Sequence, residues 1–430
     1  MKILYGVQGT GNGHITRARA MAAEMHAAGV EVDFVFSGRP PEDYFDMAVF
    51  GDYRTFQGLS FVARDGKLDL YATCRSANFY KLYRDICSLD TRGYDLVMTD
   101  FEPIVAWAAK RQGVTCVGFG HQYAFKYDIP RYKKNAIAQF IMSNFAPATT
   151  QLGAHWHHFG HPILPPLIHA QPLTNIAEPE QVLVYLPFEN SEAVLEWLEG
   201  VPNYRFKLHC KDIEPGAYGN VEVFPFGRDL FQKNLSECES VLCNAGFELN
   251  SEALQLGRRI LAKPLKGQIE QHSNAIALEM LGVAKTSDVL SSDIIQDWLE
   301  TSRVVQISYP NVARAVVAWL QSGNDVSVED LCESLWKQTP NVRGIDFTLA
   351  LLSRGPLSGV LNGTTNLTTA GQVTFDWDDN SAEGNANVTD KSMVLVYNPS
   401  KKESISILDG ADRTVGSQVV TIPNTYAGDT

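Results

Sequence analysis

Short apolar runs alternate with stretches of helical period along the first 340 residues. Ile3 to Val7 predicts a buried strand, followed by a glycine-rich turn and then a helical pattern that ends near Gly29. A second strand, Val30 to Phe36, follows at once. Farther on, Tyr94 to Thr99 predicts a strand ending at Asp100, Pro103 to Arg111 a helix with proline in its first turn, and Val114 to Phe119 another strand. Repeated β-α-β of this kind makes a mainly parallel sheet.

A proline-rich stretch from His161 to Pro172 interrupts the pattern and reads as a connection, after which a second α/β series begins. It predicts strands at Gln181 to Leu186, Arg205 to His209, Ser240 to Cys243 and Arg259 to Ala262, with helices at Leu249 to Leu256 and Ser273 to Leu281. The expected fold class is therefore α/β, with two Rossmann-like domains, 1–165 and 166–338, facing across a cleft onto which both sets of strand ends open. Beyond 340 the text changes to period two, at Val373 to Trp377 and Met393 to Tyr397. That predicts an all-β, sandwich-like appendage over 341–430, with an incomplete sandwich as one expectation because a further strand would be due at Thr430.

Composition supports the division. All ten His and all seven Cys lie at or before position 332, so residues 341–430 have neither. The cysteines are odd in number and scattered without CxxC spacing, which argues for buried thiols over disulfides or a structural zinc. A formal charge of −13 gives no basic footprint for nucleic acid. No run of about 18 apolar residues occurs, and the apolar text before Gln8 is too short for a signal segment, so a cytoplasmic protein is expected. Three sequons, at Asn362, Asn366 and Asn387, then read as Thr-rich strand and turn text.

The loop Gly9, Gly11, Gly13 between a strand and a helix invites a dinucleotide reading, but the third glycine falls one residue early and the second strand ends at Ser37-Gly38 without a carboxylate. No Gly-Lys-Ser/Thr exists for a P-loop either. Two readings remain: a structural turn with an incidental His14, or a loop that presents His14 as a base. Loops after the strands of a doubly wound sheet share one edge, so His14, Asp100 and His121 are expected to converge there. Asp100 then either fixes the tautomer of His14 or caps the helix through Pro103.

The most specific text is Val241 to Glu252, containing Asn244, Ala245 and Gly246, followed by Pro264 to Ala275. With the Gly-x-Gly-His of the first loop, this arrangement resembles the GT-B glycosyltransferases over about 1–335. The branch is that of the UDP-glucosyl and glucuronosyl transferases and of the bacterial enzyme completing lipid II, and within it the chain looks closest to a bacterial and archaeal group of predicted glycosyltransferases. The resemblance implies a nucleotide-sugar donor as co-substrate and no cofactor or metal. Backbone amides at Ala245, Gly246 and Phe247 would hold the diphosphate, with Asn244 in the same donor-binding turn, Glu252 would hold the ribose, and Gln268, Glu270 and Gln271 the sugar. Phe226 would lie by the base, a core position being the competing reading, and Asn274 reads as a loop-to-helix cap. His14, paired with Asp100, would be the general base, with Gly11, Asn12, Gly13 and His121 on the acceptor side.

Departures from the family pattern bear on the donor. The turn lacks the family's diphosphate-contacting His, and Glu270-Gln271 stands where Asp-Gln is usual. The Glu-x7-Glu mark of retaining GT-B families is missing from these motifs, so inverting transfer of a hexosyl group is expected. On the acceptor side, Lys126, Arg131, Lys133 and Lys134 precede the apolar Ala136 to Met142, so 126–142 reads either as a peripheral contact with the inner membrane face, near a glycan, lipid-linked or small-molecule acceptor, or as a solvated loop before a core helix. The tail weakly resembles an uncharacterised bacterial β-sandwich domain. Two rival functions share the fold: a nucleotide-sugar 2-epimerase and a non-catalytic subunit that binds nucleotide-sugar or glycan.

Overall fold

The structure is a computed structural model that describes residues 1–60, 62–64, 66–69, 72–73, 75, 77–132, 143–168, 178–323, 325–339 and five strands of the tail. The chain forms two compact units. One holds both α/β halves, from Met1 to Gly344 apart from two short stretches, and the other is built mainly of Ile345–Thr430.

The first half runs β1 (Lys2–Gln8), α1 (Asn12–Ala27), β2 (Glu31–Ser37), β3 (Tyr53–Phe56), the hairpin β4 (Val62–Arg64) and β5 (Lys67–Asp69), α2 (Phe79–Ser88), β6 (Leu96–Asp100), α3 (Pro103–Gln112), β7 (Cys116–Gly120), β8 (Thr150–Ala154) and β9 (Ile163–Leu164). Its sheet has the order β3-β2-β1-β6-β7-β8-β9 and is parallel throughout. Helices cover both faces of such a sheet, which is why its strands read as unbroken apolar runs. α3 shows how local chemistry sets an element. Glu102 caps it by accepting from the amides of Ile104 (2.9 Å) and Val105 (2.6 Å), Pro103 opens it, and Gly113 ends it at a φ of 70°. The cap is thus Glu102, and the reading of Asp100 as the cap is corrected.

The second half runs β10 (Glu178–Tyr185), α4 (Ser191–Glu199), β11 (Arg205–His209), β12 (Gly216–Tyr218), β13 (Val221–Phe224), α5 (Arg228–Glu237), β14 (Cys238–Asn244), α6 (Phe247–Gln255), β15 (Arg259–Lys263), α7 (Ile269–Met280), β16 (Lys285–Thr286), α8 (Ser292–Thr301), α9 (Val312–Gln321) and α10 (Val328–Lys337). Its sheet is β12-β13-β11-β10-β14-β15-β16, parallel but for the β12–β13 hairpin. Val182, Val184, Phe206, Leu208, Leu242 and Trp298 are among its fully covered core side chains. Burying each such side chain is worth roughly 1.5–3 kcal/mol.

α9 and α10 pack against the first half. α9 lies on α1, where Glu24 accepts from Asn311 (2.7 Å) and Arg314 (3.1 Å), and the Trp336 indole of α10 donates to the Ile163 carbonyl (2.7 Å) of β9. α1 is therefore covered nearly all round. Ala18, Ala20 and Ala22 allow the close approach, and Arg17 and Arg19 are buried with them.

In the tail, β17 (Asn366–Thr368), β18 (Gln372–Asp378) and β21 (Val415–Thr421) form an antiparallel sheet, and β19 (Leu395–Asn398) pairs with β20 (Glu403–Ser406). The predicted strand Val373 to Trp377 lies within β18; of Met393 to Tyr397, the residues Leu395 to Tyr397 lie in β19, and Met393 and Val394 lie outside the described residues.

Candidate active site

Parallel pairing of β1 with β6 sets Val7 beside Asp100, so the loop after β1 and the last residue of β6 meet at one sheet edge. α1 starts at Asn12 and carries His14 in its first turn. Phe101 turns the chain sharply after Asp100 at a φ of 54°, an uncommon conformation for a bulky residue and one that clusters at functional sites. The outcome is a His14 Nδ1 to Asp100 Oδ1 contact of 2.7 Å, with Asp100 wholly buried and the His14 side chain 15% exposed. The two residues expected to pair are paired.

A residue that the sequence reading missed holds them. Arg17 lies one turn beyond His14 and grips Asp100 side-on, Nε to Oδ2 at 2.7 Å and Nη2 to Oδ1 at 2.6 Å. Its remaining Nη1 donates to Glu248 Oε1, in the first turn of α6 in the other half. Burial opposes the Arg17 charge, but Asp100 and Glu248 outweigh it and the guanidinium stays protonated. Burial also works against an ionised Asp100, yet Arg17 and His14 hold its carboxyl below the usual range. Glu248 goes the other way: burial, with Asp100 and Glu252 adding to it, pushes it up to about 8 against the pull of Arg17. The helices are in close contact at this point. A Cβ on Gly13 would lie 2.9 Å from Glu248 Cγ, so only glycine lets the two helix starts approach this closely.

Comparison with protein families matches residues 1–302 to Glycosyl transferase family 1. The chain belongs to that family. Residues 331–430 match a family of unknown function (DUF6266). None of the curated proteins compared matches the chain. Among solved structures, the glycotransferase of kitacinnamycin is similar at 14% identity and a TM-score of 0.49, covering 79% of this chain and 99% of its own. MurG of Acinetobacter baumannii gives 16% identity and a TM-score of 0.47, covering 75% of this chain and 99% of its own. UGT89C1 of Arabidopsis thaliana, complexed with UDP, gives 12% identity and a TM-score of 0.47, covering 78% and 98%.

In this glycosyltransferase the turn after β14 is more occupied than the sequence implied. The Ala245 amide donates to the Lys263 carbonyl (3.1 Å), because the β14–β15 ladder continues into the turn, and the Gly246 amide donates to the Asn244 carbonyl (2.8 Å) within the turn itself. Asn244 donates its own side-chain amide to the Lys263 carbonyl (3.0 Å). The expectation that the amides of Ala245 and Gly246 hold a diphosphate is corrected: the amides without an intrahelical partner begin at Phe247 and Glu248, in the first turn of α6.

Two further corrections concern the junction of the halves. His121 was expected beside the acceptor, but its ring is fully buried and stacked on Phe247, with centroids 4.1 Å apart and planes at 4°. Its Nδ1 lies 2.9 Å from the Ala154 carbonyl and its Nε2 2.7 Å from Asn274 Oδ1. Asn274, expected as a cap, sits inside α7 and joins His121 to the Ala245 carbonyl (3.0 Å).

The other candidates fall as follows. Glu252, one turn after Glu248 and 8% exposed, accepts from Gln232 (3.3 Å); burial pushes its carboxyl up to about 7, against Gln232 and Arg228. Gln268 has a buried side-chain oxygen with no partner. Glu270 accepts from Gln122 of the first half (3.3 and 3.4 Å), while Gln271 holds its own loop by accepting from the Leu265 amide (2.8 Å). Phe226 is 36% exposed and meets Tyr185 edge-on at 5.8 Å, so the core reading fails. Gly11 precedes α1 with open space around it, and Asn12 bridges Arg39 (3.1 Å) and the Tyr185 hydroxyl (3.3 Å).

Beside this loop a cavity of about 740 Å³ opens in the first half, lined by Thr10, Arg39, Asp43, Lys81 and Asp85 among others. Asp85 is 7% exposed, and its Oδ2 has no hydrogen-bond partner. Of the basic stretch, Lys126 donates to the Gln151 carbonyl (3.2 Å) and Arg131 to the carbonyls of Phe125 and Tyr127. Lys133, Lys134 and Ala136 to Met142 lie outside the described residues. Among the described residues no helix is long and apolar enough to cross a membrane.

Proposed function

We propose that this family 1 glycosyltransferase transfers a hexosyl group from a UDP-sugar to an acceptor hydroxyl, with inversion and without a metal. The observation that carries the reading is the 2.7 Å His14–Asp100 pair at the mouth of the first sheet, facing the start of α6. With Nδ1–H directed at Asp100, His14 keeps the Nε2 lone pair to take the acceptor proton. The acceptor oxygen then bonds to the anomeric carbon as the bond to the diphosphate breaks, and that electron pair leaves with the diphosphate. The partial positive charge at the N-terminus of α6, with the amides of Phe247 and Glu248, suits the leaving group. Glu252 suits the ribose hydroxyls, Phe226 the base, and Gln268 and Glu270 the sugar. The Thr10–Asp85 cavity suits the acceptor.

Glu214 and Glu222 do stand at the Glu-x7-Glu spacing of retaining enzymes, but both are exposed residues at the β12–β13 edge, away from these motifs. That leaves the reading of inversion in place. It is tested by incubating UDP-sugars with an acceptor panel and assigning the anomer by NMR. Turnover should fall about 10²–10⁴-fold in His14→Ala and in Asp100→Asn. A product with retained configuration, or undiminished turnover in both variants, would refute it. A 2-epimerised sugar formed without acceptor would favour the epimerase instead.

A further inference from the structure

Asp100 has more partners than a carboxylate in a His–Asp pair needs. Both of its oxygens are engaged by Arg17, and Oδ1 also receives His14, which places a positive charge 3.0 Å from His14 Nδ1. A carboxylate neutralised in this way gives little support to an imidazolium, because the guanidinium cancels the charge that would stabilise it. Arg17 is itself held by Glu248, which comes from the other half of the molecule, so the balance is set across the junction.

We infer that Arg17 and Glu248 are positioning residues for the base: Glu248 draws on Arg17 and thereby decides how much of the Asp100 charge reaches His14. The inference rests on the reading of His14 as the base. With Glu248 ionised, one cation is shared by two carboxylates and the cluster keeps a net negative charge beside the imidazole. With Glu248 neutral or withdrawn, Arg17 belongs to Asp100 alone. His14 is then a strong base only while the α6 end of the second half is seated against α1. Because burial pushes the Glu248 carboxyl up to about 8, its charge appears in the mildly alkaline range. The other groups facing the cluster are Tyr5 on β1, Glu252 on the next turn of α6, and His121 against Phe247. Burial raises the Tyr5 hydroxyl well out of range, Glu252 moves up to about 7, and the His121 ring is lowered by burial.

The test is the titration of the histidine rings in the free full-length protein by NMR, with the His14 signal assigned by its loss in His14→Gln. The parent should show a second inflection in the His14 curve near pH 8. Glu248→Gln, which keeps the shape and the hydrogen bond but not the charge, should remove it. Glu248→Asp should restore it in part, and Glu252→Gln should leave it in place. A His14 curve in Glu248→Gln that superimposes on the parent overturns the inference, whether or not transfer is detected. A Glu248-dependent inflection in a protein that transfers to no acceptor supports the coupling and removes instead the reading of His14 as a transferase base.

Discussion

His121 separates two accounts of the junction, and His121→Phe is the substitution that tells them apart. The ring is fully buried, lies flat on Phe247, and sets its two nitrogens against two acceptors, the Ala154 carbonyl and Asn274 Oδ1; burial keeps the imidazole neutral, so it donates to one of them. Phenylalanine keeps the stack and nearly the volume, so little packing is lost. It leaves the acceptor that the ring N–H satisfied buried without its donor, at about 1–3 kcal/mol. The expected loss is therefore about 1–3 kcal/mol, a sizeable share of a typical 5–15 kcal/mol stability. Equilibrium urea unfolding should show a lower midpoint with an unchanged slope. His121→Ala should lose roughly 2–4 kcal/mol more, through the cavity it opens and the stack it removes. A His121→Phe protein within about 0.5 kcal/mol of the parent, with a raised KM for acceptor, would refute this and return His121 to the acceptor site.

Two other outcomes follow from buried carboxyls. Glu252→Ala should raise the KM for the nucleotide-sugar about 10- to 100-fold, the worth of charge-assisted hydrogen bonds to the ribose, while the acceptor KM stays put; donor titration at saturating acceptor checks it. Glu102 is pushed by burial from 4.5 up to about 7 against Ser37 and the amides of Val105 and Ile104. The unfolded chain therefore releases this proton first: the contribution of Glu102 is fully favourable below about 4.5 and is lost as pH rises to about 7, on the order of 3 kcal/mol. Glu102→Gln should flatten the fall in stability between pH 5 and pH 7 relative to the parent, measured by urea unfolding across that range. Parallel slopes would count against the assignment.

The strands and helices legible in the sequence are those whose period is unbroken and whose ends carry proline, glycine or a short polar cap. β1, α3 and β11 are of that kind. β8 was not read, because Thr150–Ala154 includes two polar residues and a glycine in five, and only pairing with β7 makes it a strand. The His14–Asp100 pair was legible from topology, since parallel neighbours deliver their following loops to one edge. Arg17 and Glu248 were not, although each left a faint sign: His14 and Arg17 are three apart and Glu248 and Glu252 four apart, spacings that share a helix face. On a helix such charges read as solvated surface, and their partners lie 83 and 231 residues away. The occupied amides of Ala245 and Gly246 were equally hidden, because their fate depends on how far β15 extends beside β14.

The chain passes between the halves twice, after β9 and again between α8 and α9, and α9 and α10 then bind α1 and β9. Two bodies joined at two points lose most of their relative freedom: sliding apart and twisting across the cleft both strain a connection, while rotation about the line through the two joins strains neither. Any relative rotation of the halves is thus reduced to something near a single angular coordinate. Cutting the chain at residue 302, where the family match ends, would remove one of the two pins together with α9 and α10, and leave the angle between the halves to the junction contacts of Arg17 with Glu248 and of His121 with Phe247.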